Sequence, residues 1–397
     1  MTLLRRLLGL LLVLSALPPL SAQTVLVLPF RNQSNSSNLD WIGESICEAL
    51  RESLVSEGVL APDREDRLEA FRQLSLRPSA VLTVASMIKT GEALDASQLV
   101  YGQYKVTPGD ANASAASHRT LRIAAHILNL RRFQQGPELT ESGALDDLAT
   151  LEARLSWQAL EALSPQRAPS ENEFLKSRPP VRLDALESYI RGLMVEDPDQ
   201  QRRFFLRAAR LDQGYSQPCF QLGKSYWEKK DYRSAANWLA RVNRADPHYL
   251  EARFYLGLCD YHLGDYTAAA QSFEIVAASV PLNEVYNDLG AAQAHSDPQS
   301  AAKSFRKAIE GDNSDPDYHF NLGCVLWRAG QYAAAADSFR TALAANPKDQ
   351  EAAALLNRSE HRQPPRPEVE PHERLKTSYQ ETAYRQLKAE LQPKKSK

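Results

Sequence analysis

Gly223-Lys224-Ser225 carries the closing residues of a phosphate-binding loop. Such a loop needs a further glycine five residues earlier, so that backbone amides can curl round the phosphates. Pro218 stands there, and the reading fails. Two carboxylate pairs, Asp146-Asp147 and Glu65-Asp66, invite acid–base chemistry. That chemistry needs carboxyls facing one bond across a cleft, whereas neighbours on a helix point apart. Both pairs read as acidic residues at helix starts, where the dipole favours them. His372-Glu373 lacks the second histidine of a zinc-binding H-E-x-x-H helix, and the eight histidines form no group with ligand spacing. There is no G-x-S-x-G elbow and no dinucleotide fingerprint. Cys47, Cys219, Cys259 and Cys324 make no C-x-x-C pair. Buried thiols are the preferred reading, with a Cys219–Cys259 bridge as the alternative in an oxidising compartment. The chain is therefore expected to be no enzyme and to hold no metal or cofactor.

What remains is a chemistry of contact, organised by a ladder of glycines. Gly223, Gly257, Gly290 and Gly323 lie 34, 33 and 33 residues apart, each preceded by leucine. Ala235, Ala269 and Ala335 follow their glycines by 12 residues, and Leu239, Phe273 and Phe339 come four later. Pro247, Pro281 and Pro347 close their units 24 residues after the glycine. Small residues allow two helices to approach, the large apolar residue fills the space between them, and proline ends the second helix. The unit at Gly290 is one residue short, with Phe305 following by 15. A weaker first unit over 184–213 keeps Gly192, Phe205 and Ala208. One such pair cannot bury its apolar face, but a stack can.

These landmarks resemble the tetratricopeptide repeat, a helix–turn–helix unit of about 34 residues. The resemblance implies that each first helix lines a concave groove holding a partner's peptide. With each glycine as position eight, position five is Phe220, Phe254, Asn287 and Phe320, and position nine is Lys224, Leu258, Ala291 and Cys324. Position twelve is Trp227, Tyr261, Ala294 and Trp327, and position thirteen is Glu228, His262, His295 and Arg328. The expected groove is thus aromatic, with charges at its edge. The competing reading is that Phe220, Phe254 and Phe320 simply pack between helices. Asn321 matches one place of the carboxylate-gripping members, but phenylalanine stands where their lysine is required. No carboxylate clamp is expected, and an extended or helical apolar segment is the expected ligand.

The elements before the ladder read as an α/β domain. Residues 24–30 form a short β-branched, apolar strand. A helix follows, capped by Asp40 and stopped by Gly58, and residues 59–61 make a brief second strand. Helices are expected over 64–74 and within 79–94. Residues 98–106 and 121–129 alternate as a hairpin with a long tip, and an amphipathic helix over 145–163 closes the unit. The domain resembles the amino-terminal domain of TolB and the related FlgO-like and CsgG-like envelope domains. The likeness rests on Val27-Leu28-Pro29-Phe30-Arg31-Asn32, Ile42-Gly43-Glu44-Ser45-Ile46 and Leu99-Val100-Tyr101-Gly102-Gln103-Tyr104. It implies an assembly or protein-contact module. Gln103 stands where that pattern often has arginine.

At the start, Arg5-Arg6 precedes an apolar run over 7–14, then Pro18-Pro19 and Ala22. This is the pattern of a secretory signal, too short and too broken to span a bilayer. The 47 basic and 49 acidic residues leave a formal charge of −2, and −4 once Arg5 and Arg6 are gone. That balance argues against nucleic acid as a partner.

The expected order is a signal (1–22), an α/β domain (23–165), a linker (166–182), repeats with a polar capping helix (183–360), a proline-rich spacer (361–372), and a last helix with a basic tail (373–397). The last helix is read from Leu375, Tyr379, Ala383, Leu387 and Leu391, which recur every four residues. The fold class is multidomain, an α/β unit followed by an all-α solenoid. The function read from this is a periplasmic or secreted, non-enzymatic adaptor. A protein or peptide would bind in the groove and an envelope protein at the α/β domain. The rival is a small-molecule or polysaccharide binder using the α/β domain.

Overall fold

The computed structural model describes residues 24–34, 36–78, 80–108, 119–365 and 371–391. The expected signal, most of the hairpin tip, part of the spacer and the basic tail lie outside them.

The first domain is built on one mixed sheet. Strands β1 (Val25–Val27) and β2 (Arg31–Asn32) run parallel along one edge of β3 (Gln98–Thr107). Strand β4 (Thr120–Asn129) pairs antiparallel with all of β3, from Gln98↔Asn129 to Thr107↔Thr120. Its far edge carries β5 (Gln134–Gln135) and β6 (Leu139–Ala144), two short strands that the sequence does not announce. Alternation sorts the side chains. Val25, Val27, Val100 and Ile123 face α1 (Trp41–Ser56) and α4 (Leu148–Leu163), whereas Leu26, Leu28, Leu99 and Leu128 face α2 (Arg64–Gln73) and α3 (Val84–Ala93). Both faces are covered, which is why β1 is apolar throughout rather than alternating. Asp40 stands at the N-cap position of α1, but its carboxylate makes no capping bond: it accepts from Asn32 Nδ2 at 2.6 Å, and a 3₁₀ turn over Ser37–Leu39 leads into the helix.

The stretch expected to be a linker packs. It holds α5 (Glu171–Lys176), started by a Ser170–Glu173 capping box. Phe174 is 1% exposed, with the Arg178 guanidinium 3.6 Å above its ring. The apolar cluster that begins at Val25 continues through Phe174 into the repeats as far as Cys259.

The helices then pair: α6 (Leu183–Met194) with α7 (Pro198–Leu211), α8 (Gln217–Glu228) with α9 (Tyr232–Leu239), and α10 (Tyr249–His262) with α11 (Tyr266–Ser279). Two more pairs follow, α12 (Asn283–Gln293) with α13 (Pro298–Gly311) and α14 (Pro316–Arg328) with α15 (Tyr332–Ala345), and α16 (Gln350–Glu360) closes the stack. The ladder glycines mark close approaches. A Cβ on Gly257 would stand 2.8 Å from the Phe273 ring, one on Gly290 2.8 Å from Phe305, and one on Gly323 2.6 Å from Phe339. Gly192 is the same device against Phe205 in the first pair.

The chain does not end at the cap. Residues 371–380 return along the inner face without regular structure, and α17 (Glu381–Leu391) follows. The expected helix from 373 is thus shorter by eight residues at its start.

Candidate peptide-binding groove

The first helices of the pairs, α10, α12 and α14, present their inner faces side by side. The chain's own residues 371–380 lie across these faces as an extended strap. Asn287 of α12 and Asn321 of α14 meet at its centre, with Asn321 Nδ2 donating to Asn287 Oδ1 at 2.8 Å. Both amides also donate to the Arg374 carbonyl, at 2.8 and 2.9 Å, and Asn321 Oδ1 accepts from the Arg374 N–H at 2.8 Å. Asp288 Oδ1 accepts from the Lys376 N–H at 2.8 Å, and Glu284 from the Gln380 N–H at 3.1 Å. These side chains hold main-chain groups of an extended backbone and not its side chains. A helix would have kept those groups for itself.

Side-chain wells flank this clamp. Glu373, its side chain 1% exposed, takes a salt bridge from Arg328, a hydrogen bond from the Tyr261 hydroxyl at 3.2 Å, and His295 at 3.5 Å. Burial alone would raise its pKa, but His295 and Arg328 outweigh it and hold the carboxyl at about 2. Arg328 also donates to the Pro371 carbonyl at 2.5 Å. Arg374 lies 3.5 Å above the Phe320 ring and forks onto Asp349 at 2.5 and 3.1 Å, with Glu351 at 3.2 Å and Asp317 at 3.4 Å. Asp349 is held below the usual carboxylate range, chiefly by that hydrogen bond from Arg374. Lys376 meets Asp315 at 2.8 Å and Asp317 at 2.7 Å. Asp288 goes the other way, since burial pushes its carboxyl well above the usual range.

The ten sequence-predicted groove residues divide into two sets. Six meet the returning chain: Asn287, Asn321, Tyr261, Phe320 and Arg328, as above, with Phe254, whose ring meets Tyr379 edge-on at 5.0 Å. A seventh, Trp327, meets the chain just past α16, where its Nε1 donates to the Gln363 carbonyl at 2.8 Å. Phe254 and Phe320 also pack between helices, against Phe273 and Phe339. Each thus touches the strap on one side and packs between helices on the other. Phe220, Lys224 and Trp227 sit elsewhere. Phe220 stacks on His248 at 4.4 Å, Lys224 pairs with Glu251 at 3.4 Å, and Trp227 nests among Tyr232, Tyr255 and His262. Phe220 and Lys224 line a cavity of about 550 Å³ between α1, α8, α10 and α17. Gly223 lies inside α8 against Leu239, so Gly223-Lys224-Ser225 forms no phosphate loop.

Six acidic residues of the site, Glu284, Asp288, Asp315, Asp317, Asp349 and Glu351, escaped the sequence reading. Asp315 and Asp349 also cap their helices. The available signal was complementary charge, Arg374 and Lys376 arriving opposite them. All four cysteines are free and buried, so Cys219 and Cys259 are not bonded. No cluster of metal-ligating side chains occurs among the described residues. Among them also, no helix is long and apolar enough to cross a membrane.

Comparison with known proteins agrees with the ladder. Residues 220–284 and 291–350 match the family model described as tetratricopeptide repeat. These residues form tetratricopeptide repeats. A solved structure of MamA, residues 41 to the end, from Desulfovibrio magneticus RS-1 is 23% identical. The match covers 40% of this chain and 92% of that one, with a TM-score of 0.36. A structure of YrrB, described as a TPR protein with an unusual peptide-binding site, is 15% identical. It covers 52% of this chain and 97% of its own, with a TM-score of 0.41. No curated protein matches the chain.

Proposed function

We propose that the protein is a non-enzymatic scaffold of the cell envelope whose repeat groove binds an extended segment of a partner protein. One observation carries the reading: Asn287, Asn321 and Asp288 bind the main chain of an extended segment, residues 374–376. Backbone capture between flanking side-chain wells is how a groove holds a peptide. The strap is the example of that ligand which the molecule carries itself. Export rests on the signal pattern of residues 1–22. Docking of an envelope component on the α/β domain rests on its resemblance to the TolB amino-terminal module.

The test uses the full chain with its strap weakened by Arg374→Ala and Lys376→Ala. Fluorescence anisotropy follows a labelled synthetic peptide of residues 371–391. Binding is expected, with a loss of at least tenfold when Asn287→Ala and Asn321→Ala are added to a chain that still unfolds cooperatively. Equal binding with and without the two asparagines refutes the groove.

A further inference from the structure

The strap ties together parts of the molecule that are far apart in sequence. Beyond the groove it enters α17, whose Tyr384 is buried and whose Leu387 is half-buried against the repeats. From α17, Arg385 crosses to the α/β domain. Its two terminal nitrogens pair with Asp63 at 2.6 Å and Asp66 at 2.9 Å, at the start of α2. Lys388 donates to the Pro247 carbonyl at 2.9 Å, at the head of α10. Tyr384, Arg385 and Lys388 also form one wall of the 550 Å³ cavity. One segment thus fills the groove and bridges the two domains.

The wells read charge in a fixed order. Arg328, His295 and Tyr261 take an acid, Asp349 and Glu351 take a base at the next residue, and Asp315 with Asp317 takes a base two residues further on. A segment with the reversed order would set carboxylates against carboxylates. We infer that the strap is an internal competitor for the groove, and that the partner segment displacing it carries the same acid–base–x–base order. Its release also breaks the Arg385 bridge to α2. This rests on the groove reading proposed above. A tethered ligand acts at millimolar effective concentration, so an incoming segment sees its intrinsic affinity reduced by the fraction of open molecules.

A short probe separates this inference from the reading beneath it. A labelled peptide of residues 371–380 spans the groove contacts but lacks α17, so Arg385 is no part of its binding. We measure its affinity for the full wild-type chain, for Arg385→Glu, for Lys388→Ala, and for the strap-weakened Arg374→Ala, Lys376→Ala chain. Loss of a two-pronged, partly exposed bridge is expected to tighten binding about three- to tenfold. The same peptide with its three charges reversed is expected not to bind. Equal affinity for wild type and Arg385→Glu, with the strap-weakened chain binding normally, overturns the coupling and leaves the groove standing. Failure of every folded variant to bind overturns the groove itself. A wild-type dimer by sedimentation that Arg374→Ala dissolves overturns the internal competitor, because the strap then seats in a second copy.

Discussion

Truncating Arg374 should open the groove without unfolding the protein. The side chain stacks on Phe320 and forks onto Asp349, with Glu351 and Asp317 beside it. A desolvated cation–aromatic contact contributes about 1–2 kcal/mol. Hydrogen bonds between charged groups contribute about 1.5–3 kcal/mol each when sheltered. The Arg374 side chain is 24% exposed, so solvent screening trims the sum to about 3 kcal/mol. At about 1.36 kcal/mol per tenfold change, that raises the undocked population roughly 100-fold. Hydrogen exchange reads it directly, because the amides of Arg374, Lys376 and Gln380 donate to side chains of the groove and are protected only while the strap is docked. Arg374→Ala should speed exchange at these amides by that factor while β3, β4 and α12 keep their protection. Arg374→Lys keeps the charge but loses the fork and the flat stack, and should give an intermediate rate, about tenfold above wild type. Exchange over 373–380 within twofold of wild type in the alanine variant would refute the account.

Two further outcomes follow from buried carboxyls. Glu373 is held at about 2 against an ordinary 4.5. A depressed pKa favours docking fully above 4.5 and loses that contribution as pH falls toward 2, and Asp349 titrates in the same sense. Exchange at the strap should therefore rise on acidification through that window in wild type and be flatter in Glu373→Gln. Glu152 of α4 is 3% exposed, and burial chiefly, with the Glu52 charge added, pushes it up to about 8. A raised carboxyl costs stability as pH rises from 4.5 to 8, by up to about 5 kcal/mol over that gap. Glu152→Gln should raise the urea midpoint at pH 8.5 and leave it nearly unchanged at pH 4.5; an equal shift at both would show that the charge is not the cause.

The repeat stack was legible because close approach leaves a local mark. Gly323 must be small where Phe339 crosses it, and the need recurs once per pair. Both faces of the sheet were legible in β1, whose three residues are apolar without alternation. The strap was misread for a reason of arithmetic. Leu375, Tyr379, Ala383, Leu387 and Leu391 recur every four residues, which keeps one face in a helix. Four is also even, so the same spacing keeps one face in an extended chain. The first two do pack on the repeats from an extended segment. What decides between the two forms is the set of asparagine and aspartate side chains waiting for main-chain groups, and these lie about 50 to 90 residues away in sequence. The short strands β5 and β6 and the helix around Phe174 escaped for a related reason. Each is too short for a periodicity of its own and is held by its neighbours, β5 by β4, β6 by β4 and α4, and the Phe174 helix by α4.

The two kinds of contact also explain which part of the molecule can move. The sheet, α5 and the first repeats share an apolar cluster running from Val25 to Cys259, and separating them would expose all of it. The strap and α17 contribute Leu375, Tyr379 and Tyr384 to apolar packing, and the rest of their hold is main-chain hydrogen bonds to Asn287, Asn321, Asp288 and Glu284 and charge pairs at Glu373, Arg374, Lys376 and Arg385. Salt screens partly exposed pairs and hardly touches a buried apolar cluster. A partner can likewise match the charge pairs one for one, whereas no incoming segment replaces a shared core. On the proposed reading, the groove is thus closed by an element whose charge pairs a ligand of the same charge order would reproduce.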